Sequence, residues 1–267
     1  MAWAPLESVG WRGVCLRLAL VVRIQALAPS DFEPPLTHAI GLIDYGMGNL
    51  HSVQRAFERL GVMVLAVGDQ AAMDRCDALV LPGVGSFDPA MERLYGSGLA
   101  TPIRRWCAAG QPLLGICLGL QLLFEGSDEG QSPGLGLLQG RVTALPVSPG
   151  HPVPHMGWAP LVGAQPSPLW PAQAPANGPV GATNGVPDGV PDGAPAGADA
   201  WMYFVHSYAA VPSDPRCITA QVAFAGTLLT AAVWQGALAA CQFHPEKSGL
   251  AGQHLLQRWL AWVASRP

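Results

Sequence analysis

Apolar runs and amphipathic stretches alternate along this chain from residue 39 onward, and their periods predict its elements. Residues 39–46 form a short apolar run ending at a glycine, which suits a buried strand, and residues 62–67 and 78–81 repeat that character. Between the first two runs, Leu50, Val53, Phe57 and Leu60 recur at helical spacing, with Asn49 placed to cap the helix and Gly61 to stop it. Residues 89–94 and 102–109 read as further helices. Residues 112–116 read as a fourth strand that passes into another apolar stretch fit for a helix. Strand and helix in repeated alternation predict an α/β fold, a mainly parallel central sheet flanked by helices. From about residue 135 the pattern shortens to strands at 137–145, 155–158, 201–208, 218–224, 229–235 and 237–243. A last amphipathic helix over 250–263 turns Leu255, Leu256, Trp259 and Val263 inward.

Two segments break this pattern. Residues 1–37 precede the first strand. Their apolar portion, 14–28, is interrupted by Arg17 and Arg23, too short and too charged to span a bilayer, and it lacks the layout of a secretory signal. They are expected to be a dispensable N-terminal extension to one domain covering 38–267. Residues 164–200 are rich in Pro, Gly and Ala and contain a doubled Val-Pro-Asp-Gly. With little to bury, they predict a mobile loop inserted in that domain.

Composition narrows the possible partners. Half of the 267 residues are hydrophobic, ample for one large core. A net charge of −4 with only 12% charged residues leaves no basic surface to hold nucleic acid or an anionic membrane. The six cysteines (Cys15, Cys76, Cys107, Cys117, Cys217 and Cys241) are scattered without metal-ligand spacing, and the seven histidines are not read as a metal cluster. This argues for a reducing, cytoplasmic setting and against a metal site. Lys247 is the sole lysine beside thirteen arginines.

The candidate chemistry lies in two places. Residues 112–124 run from a buried strand through Gly115-Ile116-Cys117-Leu118-Gly119 into a helix, the cysteine form of a nucleophile elbow. Gly115 and Gly119 stand where a Cβ would collide with the turn or a substrate, and a cysteine opening a helix feels the dipole's positive end, which favours thiolate. A buried core cysteine is the plainer alternative. Far downstream, His244-Pro245-Glu246 ends a strand; in extended chain, His244 and Glu246 face the same way, a base beside a carboxylate that can orient it. A surface turn is the alternative there. The amide of Leu118, following the cysteine, is one candidate oxyanion donor, and the glycine-rich 83–85 loop at a neighbouring strand end supplies the second, from Val84 or Gly85.

These pieces resemble a class I glutamine amidotransferase domain. More narrowly, Asp44-Tyr45-Gly46-Met47-Gly48-Asn49-Leu50, the residues 81–87, the elbow, Pro154-His155-Met156-Gly157-Trp158, residues 203–208 and His244-Pro245-Glu246-Lys247-Ser248-Gly249 resemble the glutaminase subunits of imidazole glycerol phosphate synthase. The resemblance spans roughly residues 39–266. It implies a flavodoxin-like fold with added antiparallel strands in the second half, and a Cys117–His244–Glu246 triad that hydrolyses L-glutamine without metal or organic cofactor. It also implies that Gln121 and the backbone at Ser207 and Tyr208 hold the glutamine. His206 is taken as a packed histidine. The implied partner is a (β/α)8 cyclase (synthase) subunit, forming a heterodimer in histidine biosynthesis and receiving ammonia through a protected passage; Asn49, Trp158, Tyr203 and Lys247 are the residues expected to meet it. Two departures stand out: Ala159 where that family usually has Asn, expected to weaken an interface contact, and the length of the 164–200 insertion. The rivals are a glutaminase of another biosynthetic pathway, a cysteine peptidase on the same scaffold, and a scaffold subunit with a vestigial site.

Overall fold

The computed structural model describes residues 38–162, 165–170 and 201–266. The expected extension over 1–37 and most of the expected loop lie outside the described residues. Eleven strands and six helices follow in order: β1 (Ala39–Ile43), α1 (Leu50–Glu58), β2 (Met63–Val67), α2 (Gln70–Met73), β3 (Ala78–Gly83), α3 (Phe87–Gly96), α4 (Ala100–Ala108), β4 (Leu113–Cys117), α5 (Leu118–Leu122), β5 (Gly140–Ala144), β6 (His155–Val162), β7 (Trp201–His206), β8 (Tyr208–Pro212), β9 (Ile218–Phe224), β10 (Thr227–Gln235), β11 (Leu238–Cys241) and α6 (Gly249–Ala264). Nine of the strands form one sheet in the order β2-β1-β3-β4-β11-β10-β9-β6-β7, while β5 and β8 pair separately.

The sheet divides by direction. From β2 to β11 every pairing is parallel. From β11 through β10, β9 and β6 to β7 every pairing is antiparallel. The parallel centre is covered on both faces, so β1, β3, β4 and β11 are buried along their whole lengths, as their unbroken apolar runs require. On one face Ile40, Val80, Leu114 and Ile116 pack with Phe57 of α1 and Leu256 and Trp259 of α6. On the other, Ile43, Leu79, Leu81 and Leu113 pack with α3, α4 and α5, and Val142 and Ala210 of the β5–β8 ribbon close that side. Phe57 and Trp259 meet edge to face at 5.9 Å, and Leu255, Leu256, Trp259 and Val263 are all buried, as the period of α6 predicts.

Three local expectations are corrected, and one helix is added. Residues 201–208 are two strands broken at Ser207: the Ser207 carbonyl accepts from Leu145 N, and the Tyr208 carbonyl accepts from His206 Nδ1 at 2.9 Å, which turns the chain from the large sheet into the ribbon. Residues 137–139 leave the strand expected from 137, because Leu137 and Leu138 donate instead to the Leu123 carbonyl, where the short α5 ends. Helix α2, which no sequence period announces, is a single turn begun by Asp69, whose carboxylate accepts from Ala72 N. The start of the expected mobile loop is packed: Leu169 is fully buried, its carbonyl accepts from Arg258 Nε at 2.7 Å, and the Arg258 guanidinium lies 5.5 Å from the Trp170 ring centre. Ala159 is buried in the core opposite Met202.

Candidate active site

The carboxyl ends of β3 and β4 lie side by side, with Gly83 in register with Cys117. In such sheets these ends collect functional loops. Cys117 has φ 55° and ψ −112°, a region that a residue with a Cβ enters only at a cost of roughly 1–3 kcal/mol. The strain is held in place by backbone packing: a Cβ on Gly119 would run into the Leu81 carbonyl oxygen of β3, and one on Gly115 would press on the Gly119 carbonyl at 3.0 Å. The expected collision is therefore with the protein's own backbone, that of β3 at Gly119 and that of the turn at Gly115. Helix α5 is only five residues long, so its dipole is a smaller influence than a full helix would exert.

His244 comes from the end of β11. Pro245–Lys247 form a 3-10 turn rather than the extended chain expected; the His244 carbonyl accepts from Ser248 Oγ at 2.6 Å and from Lys247 N at 3.0 Å, which tightens the corner. The turn still delivers the pairing: His244 Nδ1 lies 2.8 Å from Glu246 Oε1, with the two side chains 4% and 1% exposed. The carboxylate can only accept, so Nδ1 carries a proton and Nε2 is the nitrogen turned away from Glu246. That Nε2 is buried and within hydrogen-bonding geometry of no described group. Burial lowers the His244 pKa, but the nearby Cys117 and the hydrogen-bonded Glu246 carboxylate outweigh it and raise it to about 9. The nearness of Cys117 therefore acts on the imidazole although the two groups lie just outside hydrogen-bonding geometry.

Cys117 and His244 open on one cavity of about 300 Å³, whose wall includes Val84, Gly85, Leu118, Gln121, Ser207 and Tyr208. Every residue expected to hold substrate or stabilise an oxyanion is there; Glu246 stands behind His244. Gly85 has φ +96°, which frees the 83–85 loop to present its amides in a conformation that side chains avoid. Sequence reasoning missed Glu129, which also lines the cavity while its Oε2 accepts from Phe87 N at 2.9 Å. It missed Gln242 as well, a fully buried residue whose amide touches Cys117 Sγ. A lone polar residue inside the apolar run 238–243 is the one mark Gln242 leaves in the sequence. His206 is buried, and desolvation lowers its pKa to about 4, so it is neutral.

Three of the four residues assigned to a partner surface are linked by ring contacts. Trp158 and Tyr203 meet edge to face at 6.1 Å, and exposed Lys247 sets its Nζ 5.9 Å from the Tyr203 ring centre. Asn49 caps α1, its side chain accepting from Ser52 N. Among the described residues, no group of three or more His, Cys, Asp or Glu side chains is placed to hold a metal ion, and no helix is long and apolar enough to cross a membrane.

Comparison with known proteins agrees with this geometry. Residues 41–262 match the model of the class-I glutamine amidotransferases. Over 224 residues the chain is 51% identical to imidazole glycerol phosphate synthase subunit HisH 2 of Parasynechococcus marenigrum (strain WH8102), covering 84% of this chain and 95% of that protein. It is equally 51% identical to HisH 2 of Prochlorococcus marinus (strain MIT 9313), over 84% and 94%. Among solved structures, a putative GMP synthase protein from Thermoplasma acidophilum superposes with a TM-score of 0.55 at 20% identity, covering 86% of this chain and 95% of that one. PurLQS from Thermotoga maritima superposes at 0.56 and 19%, over 85% and 99%. With a cysteine on a strained strand-to-helix turn, a carboxylate-paired histidine and relatives of this closeness, the chain belongs to the class I glutamine amidotransferase family, in its HisH branch.

Proposed function

We propose that this chain is the glutaminase subunit of an imidazole glycerol phosphate synthase, hydrolysing L-glutamine to glutamate and ammonia and passing the ammonia to a cyclase subunit in the cytoplasm. One observation carries the chemistry: Cys117, on a strained turn, shares a cavity with His244, whose far nitrogen is held by Glu246 at 2.8 Å.

Each side chain then has a step. Cys117 Sγ attacks the side-chain amide carbon of glutamine as its proton passes to His244 Nε2. The resulting oxyanion is met by the Leu118 N–H and by an N–H of Val84 or Gly85. As the tetrahedral species collapses, the imidazolium returns that proton to the departing nitrogen; the C–N bond breaks, ammonia leaves and a thioester remains. Water, deprotonated by His244, attacks the thioester, and glutamate leaves as the thiol is reprotonated. Glu246 holds the imidazole tautomer and stabilises its cation throughout.

The cavity wall also fits the amino-acid end of the substrate. The two N–H groups of Gln121 are committed to the Tyr208 carbonyl and Gln242 Oε1, both at 3.0 Å, so its Oε1 is left as an acceptor. That acceptor and the Glu129 carboxylate suit an α-ammonium, while the backbone at Ser207 and Tyr208 confines the other end. Domain 38–267 is proposed as the working unit, with residues 1–37 dispensable. The Lys247–Tyr203–Trp158 cluster is proposed to face the partner, and Asn49 to support that surface by fixing the start of α1. Assaying ammonia release from glutamine with and without the cyclase subunit tests the reading. Stimulation by that subunit supports it; a complex that makes product only from added ammonium salts overturns it.

A further inference from the structure

We infer that Gln242 is a positioning residue that donates an N–H to the Cys117 sulfur and favours its thiolate. The inference rests on Cys117 being the nucleophile and goes beyond the Cys–His–Glu set. Gln242 is fully buried beside that cysteine and takes no part in the steps above. Its Nε2 lies 3.8 Å from Cys117 Sγ, within reach for a hydrogen bond to sulfur.

The direction of this contact follows from its neighbours. A backbone carbonyl can only accept, so the amide group 3.0 Å from the Tyr208 oxygen must be the Gln121 nitrogen. That same nitrogen is 3.0 Å from the Gln242 side chain, which must answer with its oxygen. The Gln242 nitrogen is then left pointing at sulfur. The far end of the chain agrees: the Tyr208 carbonyl also takes the His206 Nδ1 proton at 2.9 Å, so His206 Nε2 accepts from His155 Nδ1 at 3.2 Å. Both lone pairs of the Tyr208 oxygen are occupied. One carbonyl therefore sets the orientation of two glutamines, and the second aims a donor at the nucleophile.

A donor near sulfur stabilises S⁻ more than S–H, and a buried site magnifies the difference. The other titratable groups around the sulfur are His244 with its partner Glu246, Tyr45 and Cys241, and the cavity residues Glu129 and His206. The Tyr45 hydroxyl gives its proton to the Pro82 carbonyl at 3.0 Å, so it is not free to serve the sulfur. Gln242 is the neutral donor in contact.

Iodoacetamide alkylation of the Cys117 peptide, followed by mass spectrometry across pH, reads the thiolate without any need for turnover. In Gln242→Met, which keeps the volume and removes the donor, the alkylation midpoint is expected to rise by about one pH unit. In Gln242→Glu, which puts an acid where the donor was, it is expected to rise further. Gln242→Asn, which withdraws the amide by one methylene, gives the same upward shift and serves if the other variants do not fold. Folded variants whose Cys117 reacts with an unshifted midpoint overturn the role of Gln242 while leaving the nucleophile intact. A wild-type Cys117 that reacts no faster than an ordinary buried thiol removes the reading of Cys117 itself.

Discussion

Glu246 Oε1 lies 2.8 Å from His244 Nδ1, and the carboxylate side chain is 1% exposed, so the pair is dry and the tautomer of His244 is decided by that contact. Replacing Glu246 with Gln keeps the shape but removes the charge and allows the opposite tautomer. Glutaminase activity is expected to fall by roughly 10²–10⁴-fold. Stability should respond in a defined window. The His244 pKa is raised to about 9, so its contribution is whole below the unfolded value near 6.5 and fades as pH rises through 9. Denaturant titrations of the wild type between pH 6 and 10 should show that alkaline loss, and Glu246→Gln should show less of it. Parallel curves would mean that the imidazolium is not held as described.

Replacing Cys117 with Ser or Ala should abolish glutamine-dependent synthesis by the two-subunit complex and leave synthesis from ammonium salts intact. Loss of both would make the cysteine structural. Cys117→Gly separates strain from chemistry: at φ 55° a glycine is relaxed, so this inactive variant is expected to be more stable than Cys117→Ala by about 1 kcal/mol, measured by chemical denaturation.

Gly119→Ala and Gly96→Ala make a matched pair. The first drives a Cβ into the Leu81 carbonyl, and the second meets nothing within 4 Å at the end of α3. The first is expected to cost more than about 3 kcal/mol or prevent folding. The second should be neutral or stabilising by up to about 1 kcal/mol. A Gly119→Ala protein melting at the wild-type temperature would show that the elbow is not packed on β3 as described.

His206 predicts acid sensitivity of the opposite sign from His244. Burial lowers its pKa to about 4, so the unfolded chain takes up the proton first as pH falls below about 6.5. Between pH 7 and 4 the wild type should lose on the order of 3 kcal/mol more than His206→Asn, whose amide can still reach the Tyr208 carbonyl. Equal acid slopes in the two proteins would show that His206 is already protonated or solvated.

Lys247→Ala is expected to weaken association with the cyclase subunit, or to uncouple glutamine hydrolysis from synthesis, without changing Cys117 alkylation. Arginine at this position should restore the charge but not the fit. Wild-type affinity and coupling in the alanine variant would remove Lys247 from the interface.

Much of this was legible because it is local. The unbroken apolar runs of β1, β3 and β4 announce strands covered on both faces, and the spacing of Leu255, Leu256, Trp259 and Val263 announces the buried face of α6. The elbow and the His-Pro-Glu corner are likewise short motifs with a mechanical meaning. What escaped is what depends on meeting at a distance. Gln121 and Gln242 touch across 121 positions, and neither has a periodic signature that pairs it with the other. The break at Ser207 hides in an aromatic and β-branched run whose propensity is strand on both sides, and tertiary bonds from Leu145 and His206 decide where it bends. Helix α2 is too short for a period to register and depends on the Asp69 cap alone.

The distribution of thiols also makes the protein unusually tractable for site-selective tagging. Burial pushes the thiols of Cys76, Cys217 and Cys241 up, and that of half-buried Cys107 to about 12. Cys117 alone among the described cysteines opens on a cavity that also holds His244. In a Cys15→Ser background, a small electrophilic dye should mark that one position at neutral pH. It would convert the elbow into a fluorescent reporter of whatever enters or leaves the cavity, read in real time and without a coupled assay.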